Sequence, residues 1–244
     1  MLHLVTPLFR LEHLDHIYAS WTAYPDMVWH IAKIRSRPAL TNAFLADPRV
    51  RVYELDCPDN DTITKRNHIF DQIQEGHFYL LDDDTRPHHN LYPLYEQYRD
   101  EGNVGMLMGG TYRRKTGVTH KGVLPVGMHT IVDTGMGLSH HIVLRHVRWA
   151  YREGAANDRF FWHRCYLFFG PEATRTTPQT IAYYNYFGPH IRVRKRLLGH
   201  PVAVDIYSGL IAWPYHQAHR LMNMMRWVFG YERPPDHDDR FLKR

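Results

Sequence analysis

Gly76-His77-Phe78-Tyr79-Leu80-Leu81-Asp82-Asp83-Asp84 is the stretch on which the reading of this chain turns. Residues 78–81 are apolar throughout, and so short an apolar run reads as a strand buried on both faces. Gly76 stops the helix ahead of it. Three consecutive carboxylates at a strand end repel one another. They are tolerated where a cation neutralises them or where water solvates them. Hard oxygen ligands suit magnesium or manganese, which keep waters and bridge to phosphate oxygens. The other reading is a solvated acidic turn, with Asp84 capping a following helix. Ligands of open α/β sheets bind beyond the carboxyl ends of the strands. The buried strand aims the triplet at that crevice, which favours the metal reading.

To either side of this stretch the chain alternates strands and helices. Residues 2–5 form a candidate strand. Leu11, Leu14, Ile17 and Trp21 have helical spacing over 11–21. Residues 27–34 read as a strand, 40–45 as a short helix ending near Asp47-Pro48, and 50–55 as an alternating strand. A loop at 57–61 leads to a helix capped by Asp61 or Thr62 and running to Gln74, with Ile63, Phe70 and Ile73 on one face. A further helix is expected from near Pro87, then a strand over 104–108. This order implies an α/β fold with a parallel or mostly parallel sheet and helices on both faces.

The second half is less regular. Residues 115–122 read as a loop and 128–133 as a strand, followed by Thr134-Gly135-Met136-Gly137. A helix is expected over 157–165 with Asn157 as its cap, and an aromatic strand over 180–187. Leu221, Met222, Met225, Val228 and Phe229 have helical spacing in the tail. No internal repeat or clear linker divides the chain, so one domain is expected over 1–244.

Composition excludes several classes. With 244 residues, 44% hydrophobic and 23% charged, the chain is long enough and apolar enough for a sizeable core. Its two cysteines, Cys57 and Cys165, are far apart and read as buried thiols. The N-terminus lacks the pattern of a signal peptide and no apolar run reaches a membrane-spanning length, so a cytoplasmic protein is expected. The sequon Asn60-Asp61-Thr62 then carries no meaning. A net charge of +5 suits an anionic ligand such as a nucleotide. Basic residues are scattered apart from Arg192-Val193-Arg194-Lys195-Arg196, so no nucleic acid is expected. The nineteen histidines follow no recognised metal pattern. GxxxxGK[ST], GxGxxG, GxSxG and HExxH are all absent, which argues against P-loop NTPases, dinucleotide oxidoreductases, serine hydrolases of that type and zincins.

Thr64-Lys65-Arg66-Asn67, the helix it opens and the strand running into Asp82-Asp83-Asp84 resemble the nucleotide-sugar segment of inverting GT-A glycosyltransferases. There an Arg-Asn pair precedes the strand that carries the DxD motif. Residues 4–10, Leu-Val-Thr-Pro-Leu-Phe-Arg, resemble the first strand and uracil-side loop of that fold. Residues 104–112, with Gly109-Gly110, resemble the next strand of glucuronyltransferase-like members. The resemblance covers roughly residues 2–113.

It implies a GT-A fold, a mixed and mostly parallel sheet flanked by helices. A nucleotide-sugar half would span about 1–113 and an acceptor half about 114–244. It also implies a transferase that uses Mn2+ or Mg2+, binds UDP or a UDP-sugar, and hands the sugar to an unknown sugar or lipid-linked acceptor with inversion. Thr6, Pro7 and Arg10 would lie near the nucleotide, with Asp56, Asn67 and Asp83 completing that set. Arg66 would lie near the diphosphate, Asp82 at the ribose or metal, and Asp84 on the metal itself. A guanidinium suits phosphate forks. An ion pair of Arg66 to Asp82 stays open, as does a packing role for the Asn67 amide.

On the acceptor side, inverting transfer needs a general base. Residues 154–162, Gly-Ala-Ala-Asn-Asp-Arg-Phe-Phe-Trp, resemble the segment carrying it, with Asp158 in the base position. Asn157 departs from the usual Glu-Asp or Asp-Asp. Asp158 would alternatively complement the helix dipole. Asp133 is the second candidate, or a turn carboxylate, and the glycines after it would let a sugar approach closely. His190 is the first choice for a histidine in the metal shell and His200 the second. Arg192, Arg194 and Lys195 would screen the diphosphate or form an exposed strand face. Trp162, Trp213, Tyr183 and Tyr184 would stack on sugar or fill the core. The 221–229 stripe, flanked by Arg220 and Arg226, would touch a membrane surface peripherally or pack on the sheet.

Three other functions stay in view. A non-catalytic nucleotide-sugar binder would keep the fold without turnover, as the Asn157 departure suggests. A nucleotidyltransferase would need a glycine- and lysine-rich first loop, and residues 6–12 have neither. A nucleic-acid module rests on charge alone.

Overall fold

β1 (Leu2–Pro7) and β4 (His77–Leu80) lie side by side in parallel, and every residue of both is buried. β2 (Met27–Ile34) flanks β1, and β3 (Val50–Leu55) flanks β2, again in parallel. Central parallel strands are covered on both faces, which is why β1 and β2 read as near-continuous apolar runs. The computed structural model describes residues 1–113, 118–122, 126, 132–150, 157–184, 186, 192–197 and 200–205. They belong to two compact units, 1–188 and 189–244.

In the first unit, one face of the sheet meets α1 (Leu14–Trp21) and α3 (Leu91–Arg99), with Leu4, Trp29, Ile31, Tyr79 and Leu81 in one core cluster. The other face meets α2 (Thr62–Gln72) and α4 (Asn157–Phe169), with Val5, Phe78, Leu80, Phe161 and Trp162 in a second. Successive side chains of a strand point to opposite faces. Phe78 and Leu80 therefore face α2 and α4, while Tyr79 and Leu81 face α1 and α3.

The sheet continues past β4 through β8 (Gly137–His140), β6 (Met106–Arg113), β9 (Thr174–Tyr184) and β5 (Arg86–Pro87), in the order β3-β2-β1-β4-β8-β6-β9-β5. β8 is antiparallel to both neighbours, β6 and β9 are parallel, and β5 is antiparallel to β9. β7 (Val118–His120) pairs with β6. This is the expected mixed α/β sheet flanked by helices.

Local signals account for several boundaries. Asp61 caps α2 as expected, accepting from the Thr64 N–H at 2.9 Å. Gly76 has φ +73°, and a Cβ there would sit 2.3 Å from the Met1 carbonyl oxygen, so only glycine fits.

Other boundaries differ from expectation. Pro87 lies in a strand, because Arg86 and Pro87 pair with Tyr183 and Ala182, and α3 starts only at Leu91. Residues 118–120 form β7 rather than loop. Residues 40–45 yield a 3-10 helix, Ala43–Ala46. α1 begins at Leu14, and Asn157 is the first residue inside α4. β9 begins at Thr174, six positions before the expected start, in a polar stretch whose side chains are partly exposed. Cys57 and Cys165 are free thiols.

The second unit contributes an antiparallel pair, β10 (Arg192–Leu197) and β11 (His200–Asp205), so Arg192, Arg194, Lys195 and His200 lie on paired strands. His190, Trp213, most of 128–133 and the whole 221–229 stripe lie outside the described residues. Among the described residues no helix is long and apolar enough to cross a membrane.

Candidate functional site

The alternation of β4 carries on into the aspartates. The Leu81 N–H still bonds to the Val5 carbonyl at 3.0 Å. Asp82 then has the parity of Phe78 and Leu80 and turns toward α2 and α4. Asp83 has the parity of Leu81 and turns to the loop after β1. Three like charges in sequence are thus sent to different partners.

Asp82 receives the Arg66 guanidinium at 2.5 Å. Arg66 is buried, projects from α2 and stands over the Trp149 ring, 3.9 Å from its centroid. Asn67 fixes the backbone that carries that ring. Its side chain accepts from the Trp149 N–H and donates to the Trp149 carbonyl, both at 2.9 Å. The Asn67 amide is therefore committed to backbone, and it sets the shelf on which Arg66 rests.

Asp83 is buried and accepts the Phe9 and Arg10 N–H groups at 2.5 and 2.7 Å. The Arg10 guanidinium spans Asp83 and Asp84, 2.8 Å from each. From the other side, Lys65 donates to the carbonyls of Leu8 and Asp59 at 2.8 and 2.6 Å. It sits 3.9 Å over the Phe9 ring. Arg37 bonds to the Phe9 carbonyl and to Asp59. Residues 8–10 are thus clamped by amides on one side and carbonyls on the other. Burial pushes the Asp83 carboxyl up to about 6, against the pull of the two N–H groups and Arg10. Burial, and then Asp82, raise Asp84 above the usual carboxylate range.

Asp158, in the first turn of α4, reaches the same place. Thr134 lies beside its carboxylate, which also feels the charges of Arg66 and Asp82. Burial raises its pKa, the neighbouring Asp82 adds to that, and Arg66 opposes it. Asp133 caps a short 3-10 helix, Thr134–Met136, and accepts the Thr134 N–H at 2.7 Å. Asp133 and Asp82 both act on the phenol of Tyr79, which donates to the Gly135 carbonyl at 3.1 Å. Asp82, Asp133, Asp158, Arg66 and Thr134 therefore converge beyond β4.

The remaining candidates sit elsewhere or are committed to packing. Thr6 is buried and accepts from the Trp29 indole at 2.9 Å, and Pro7 is buried beside Ala32. Asp56 follows β3, three strands from β4, and pairs in the open with Arg35 at 3.1 Å. Trp162 is fully buried and stacks on Phe78. The glycines after Asp133 make room for protein. A Cβ at Gly135 would lie 2.9 Å from the Tyr79 hydroxyl, and one at Gly137 would lie 2.5 Å from the Trp162 ring.

Lys65, Arg37, Tyr79, Thr134 and Trp149 emerge only from the structure. Lys65 left a signal, since it stands four residues before Ile69 on the buried side of α2. Trp149 left none, because its partner Asn67 is 82 residues away.

Among the described residues no three histidine, cysteine or acidic side chains gather as a metal cage. The donor set still fits one hard cation. Asp82 gives Arg66 one oxygen and keeps the other, and Asp84 pairs with Arg10 and makes a long 3.4 Å bond to Thr85. Magnesium and manganese take one or two carboxylates and fill the rest with waters and phosphate oxygens.

No family model matches the chain, and neither does any curated protein. Solved structures do. TarS of S. aureus, residues 1–349 in complex with UDP, aligns with a TM-score of 0.58 at 12% identity, over 75% of this chain and 59% of that one. A crystal form of TarS with UDP-GlcNAc aligns at 0.56. The mannosyltransferase PcManGT of Pyrobaculum calidifontis, in complex with GDP-Man and Mn2+, aligns at 0.55 and 12% identity, over 96% of this chain and 65% of that one. The fold is that of the GT-A glycosyltransferases. The chain spans about three fifths of the TarS chain it matches, 59%.

Proposed function

We propose that this protein is a nucleotide-sugar-dependent glycosyltransferase, acting on a UDP-sugar with inversion. One observation carries the reading. A paired Asp82–Arg66 and a half-buried Asp158 with a raised pKa meet at the carboxyl end of β4, where a sheet of this kind binds its ligand. A metal-bound diphosphate fits Asp82 and Asp84, and a divalent ion there would neutralise the charge that grows on the leaving group. UDP and GDP-Man complexes with Mn2+ in the last case, known for the structural neighbours, point the same way.

Arg66 is preset for the diphosphate. Its guanidinium is held over Trp149 and its Nε is buried without a partner, so the fork is already positioned, and an arriving anion has only to take over the arm that Asp82 holds. Asp158 serves as the base. Its raised pKa brings it nearer neutrality, which suits a group that must take a proton from a hydroxyl. The acceptor oxygen gives that proton to Asp158 and bonds to the anomeric carbon, whose bond to the phosphate oxygen breaks, releasing UDP. Thr134 orients the Asp158 carboxylate, and Asp133 is the alternative base on the same short helix.

The test separates binding from chemistry. UDP release from UDP-glucose is followed with Mn2+, alongside the affinity for UDP. Asp158→Asn is expected to slow release by about 10²–10⁴-fold with UDP affinity unchanged within about threefold. Release undiminished in Asp158→Asn moves the base to Asp133. A wild type that binds UDP-glucose and never releases UDP is a binder without turnover.

A further inference from the structure

The outer face of β6, β9 and β5 holds a pocket that the donor site does not use. Register places Tyr112 of β6 beside Tyr183 of β9, and Tyr183 beside Arg86 of β5. Residues opposite one another on adjacent strands share a face. The inner face carries Thr111, Ala182 and Pro87, all buried, and Pro87 also lines the pocket at the edge of the sheet. The outer face carries an arginine and two half-buried tyrosines. Tyr183 lies 6.0 Å from Tyr112, edge-on, and 5.6 Å from Tyr186, and the Arg86 guanidinium stands 5.5 Å over the Tyr186 ring. Ser20, at the end of α1, and His89 close the sides of a cavity of about 280 Å³.

Arg86 is the group that asks for a ligand. Its Nε is buried and unpartnered, and no carboxylate pairs with it among the described residues. The residue is half-buried, and leaving the buried Nε–H without an acceptor costs free energy that a bound anion recovers. The Tyr112 and Tyr183 hydroxyls make no hydrogen bond within the described residues. The volume falls at the small end of ligand sites, suited to one ring rather than a nucleotide. Tyrosine rings take the apolar face of a pyranose, their hydroxyls suit its hydroxyls, the Ser20 Oγ, whose proton goes to the Ile17 carbonyl, can accept from one, and a guanidinium forks onto a carboxylate or phosphate.

We infer that the pocket formed by Arg86, Tyr112, Tyr183, Tyr186, His89 and Ser20 binds a single sugar ring bearing an anionic group. This site is separate in residues from the Asp82 cluster, and the inference does not rest on the glycosyltransferase reading.

The test is calorimetric titration of the full chain with glucuronate, glucose 6-phosphate, glucose and inorganic phosphate. At least one of the two anionic sugars binds at least about tenfold more tightly than glucose and than phosphate, and whichever binds names the anion. Arg86→Gln removes that margin, and Tyr183→Phe, which keeps the ring, weakens binding by about threefold or more. UDP does not displace the sugar. Phosphate binding as well as glucose 6-phosphate, glucose binding as well as both anionic sugars, or binding unchanged in both variants overturns the proposal. Displacement by UDP overturns it too, since the sugar then sits in the donor site. If Arg86→Gln does not fold, Tyr183→Phe alone decides.

Discussion

At the carboxyl end of β4 the cations face acids: Arg10 meets Asp83 and Asp84, and Arg66 meets Asp82. On the outer face of β5, β9 and β6 the Arg86 guanidinium faces aromatic rings and no acid among the described residues. The two regions hold arginines in opposite conditions. In the first, charge is balanced within the protein, so the geometry is fixed before a ligand arrives and the ligand must open a pair. In the second, charge is left over, and a ligand completes it. Ion pairs that are preset in this way orient groups more than they add net stability.

The interior of the sheet extends the contrast and gives the largest expected effect. His3 and His30 share a 2.9 Å hydrogen bond between ring nitrogens, and His77 is buried nearby on β4. Burial holds His3 at about 4, His30 at about 3 and His77 at about 4. With no acid paired to them among the described residues, each binds fewer protons folded than unfolded below the ordinary value of 6.5. Their contribution to stability is complete above pH 6.5 and is lost as the pH falls toward 3–4. Between pH 6.5 and 5 the cost is about 2 kcal/mol per histidine. Urea unfolding at pH 7 and pH 5 should show a loss of several kcal/mol, reduced in His30→Gln. A flat profile would break the view that unpaired imidazoles are kept neutral here.

Next in size is Asp83→Ala. It orphans the Phe9 and Arg10 N–H groups and frees one arm of Arg10. A loss of about 3 kcal/mol is expected in urea unfolding at pH 7. A loss below about 1 kcal/mol would mean that the loop after β1 is held mainly by Lys65 and Arg37.

The parallel half of the fold was legible from sequence because its signals are local. Continuous apolar runs mark β1, β2 and β4, Asp61 marks the start of α2, and Gly76 marks the turn into β4. β5 is two residues long and exists only because Tyr183 and Ala182 pair with it, so no periodicity reveals it. Thr174–Tyr184 hid its first half behind threonines, Pro178 and Gln179, which suit a partly exposed strand.

The site was legible to the same degree. The triplet after an apolar strand was visible, and so was the resemblance of Arg66-Asn67. What each aspartate does was not, although extending the alternation of Phe78 and Leu80 by one step sends Asp82 toward α2. Asp158 comes beside Thr134 and Arg66 across long sequence separations, and Arg86 stands out by facing a ring and no acid among the described residues. Both are tertiary facts that a pattern along the chain does not carry.

A smaller effect separates the two arginine environments directly. Arg10 occupies Asp84 with an ion pair that a metal must displace. Because the Arg10 side chain is 38% exposed, that pair is worth little. Arg10→Ala should therefore tighten Mn2+ binding in the absence of nucleotide by no more than about tenfold, read by calorimetry. Weaker Mn2+ binding in this variant would mean that Arg10 holds Asp84 in place for the metal rather than competing with it.

The most direct test of the account is UDP titrated into wild type and Asp84→Ala, each with MnCl2 and with EDTA. Mn2+ should tighten UDP binding to wild type by at least about tenfold, and Asp84→Ala should lose this gain. Equal UDP affinity with and without metal in the wild type, or an undiminished gain in Asp84→Ala, would contradict a metal-bound diphosphate at the end of β4.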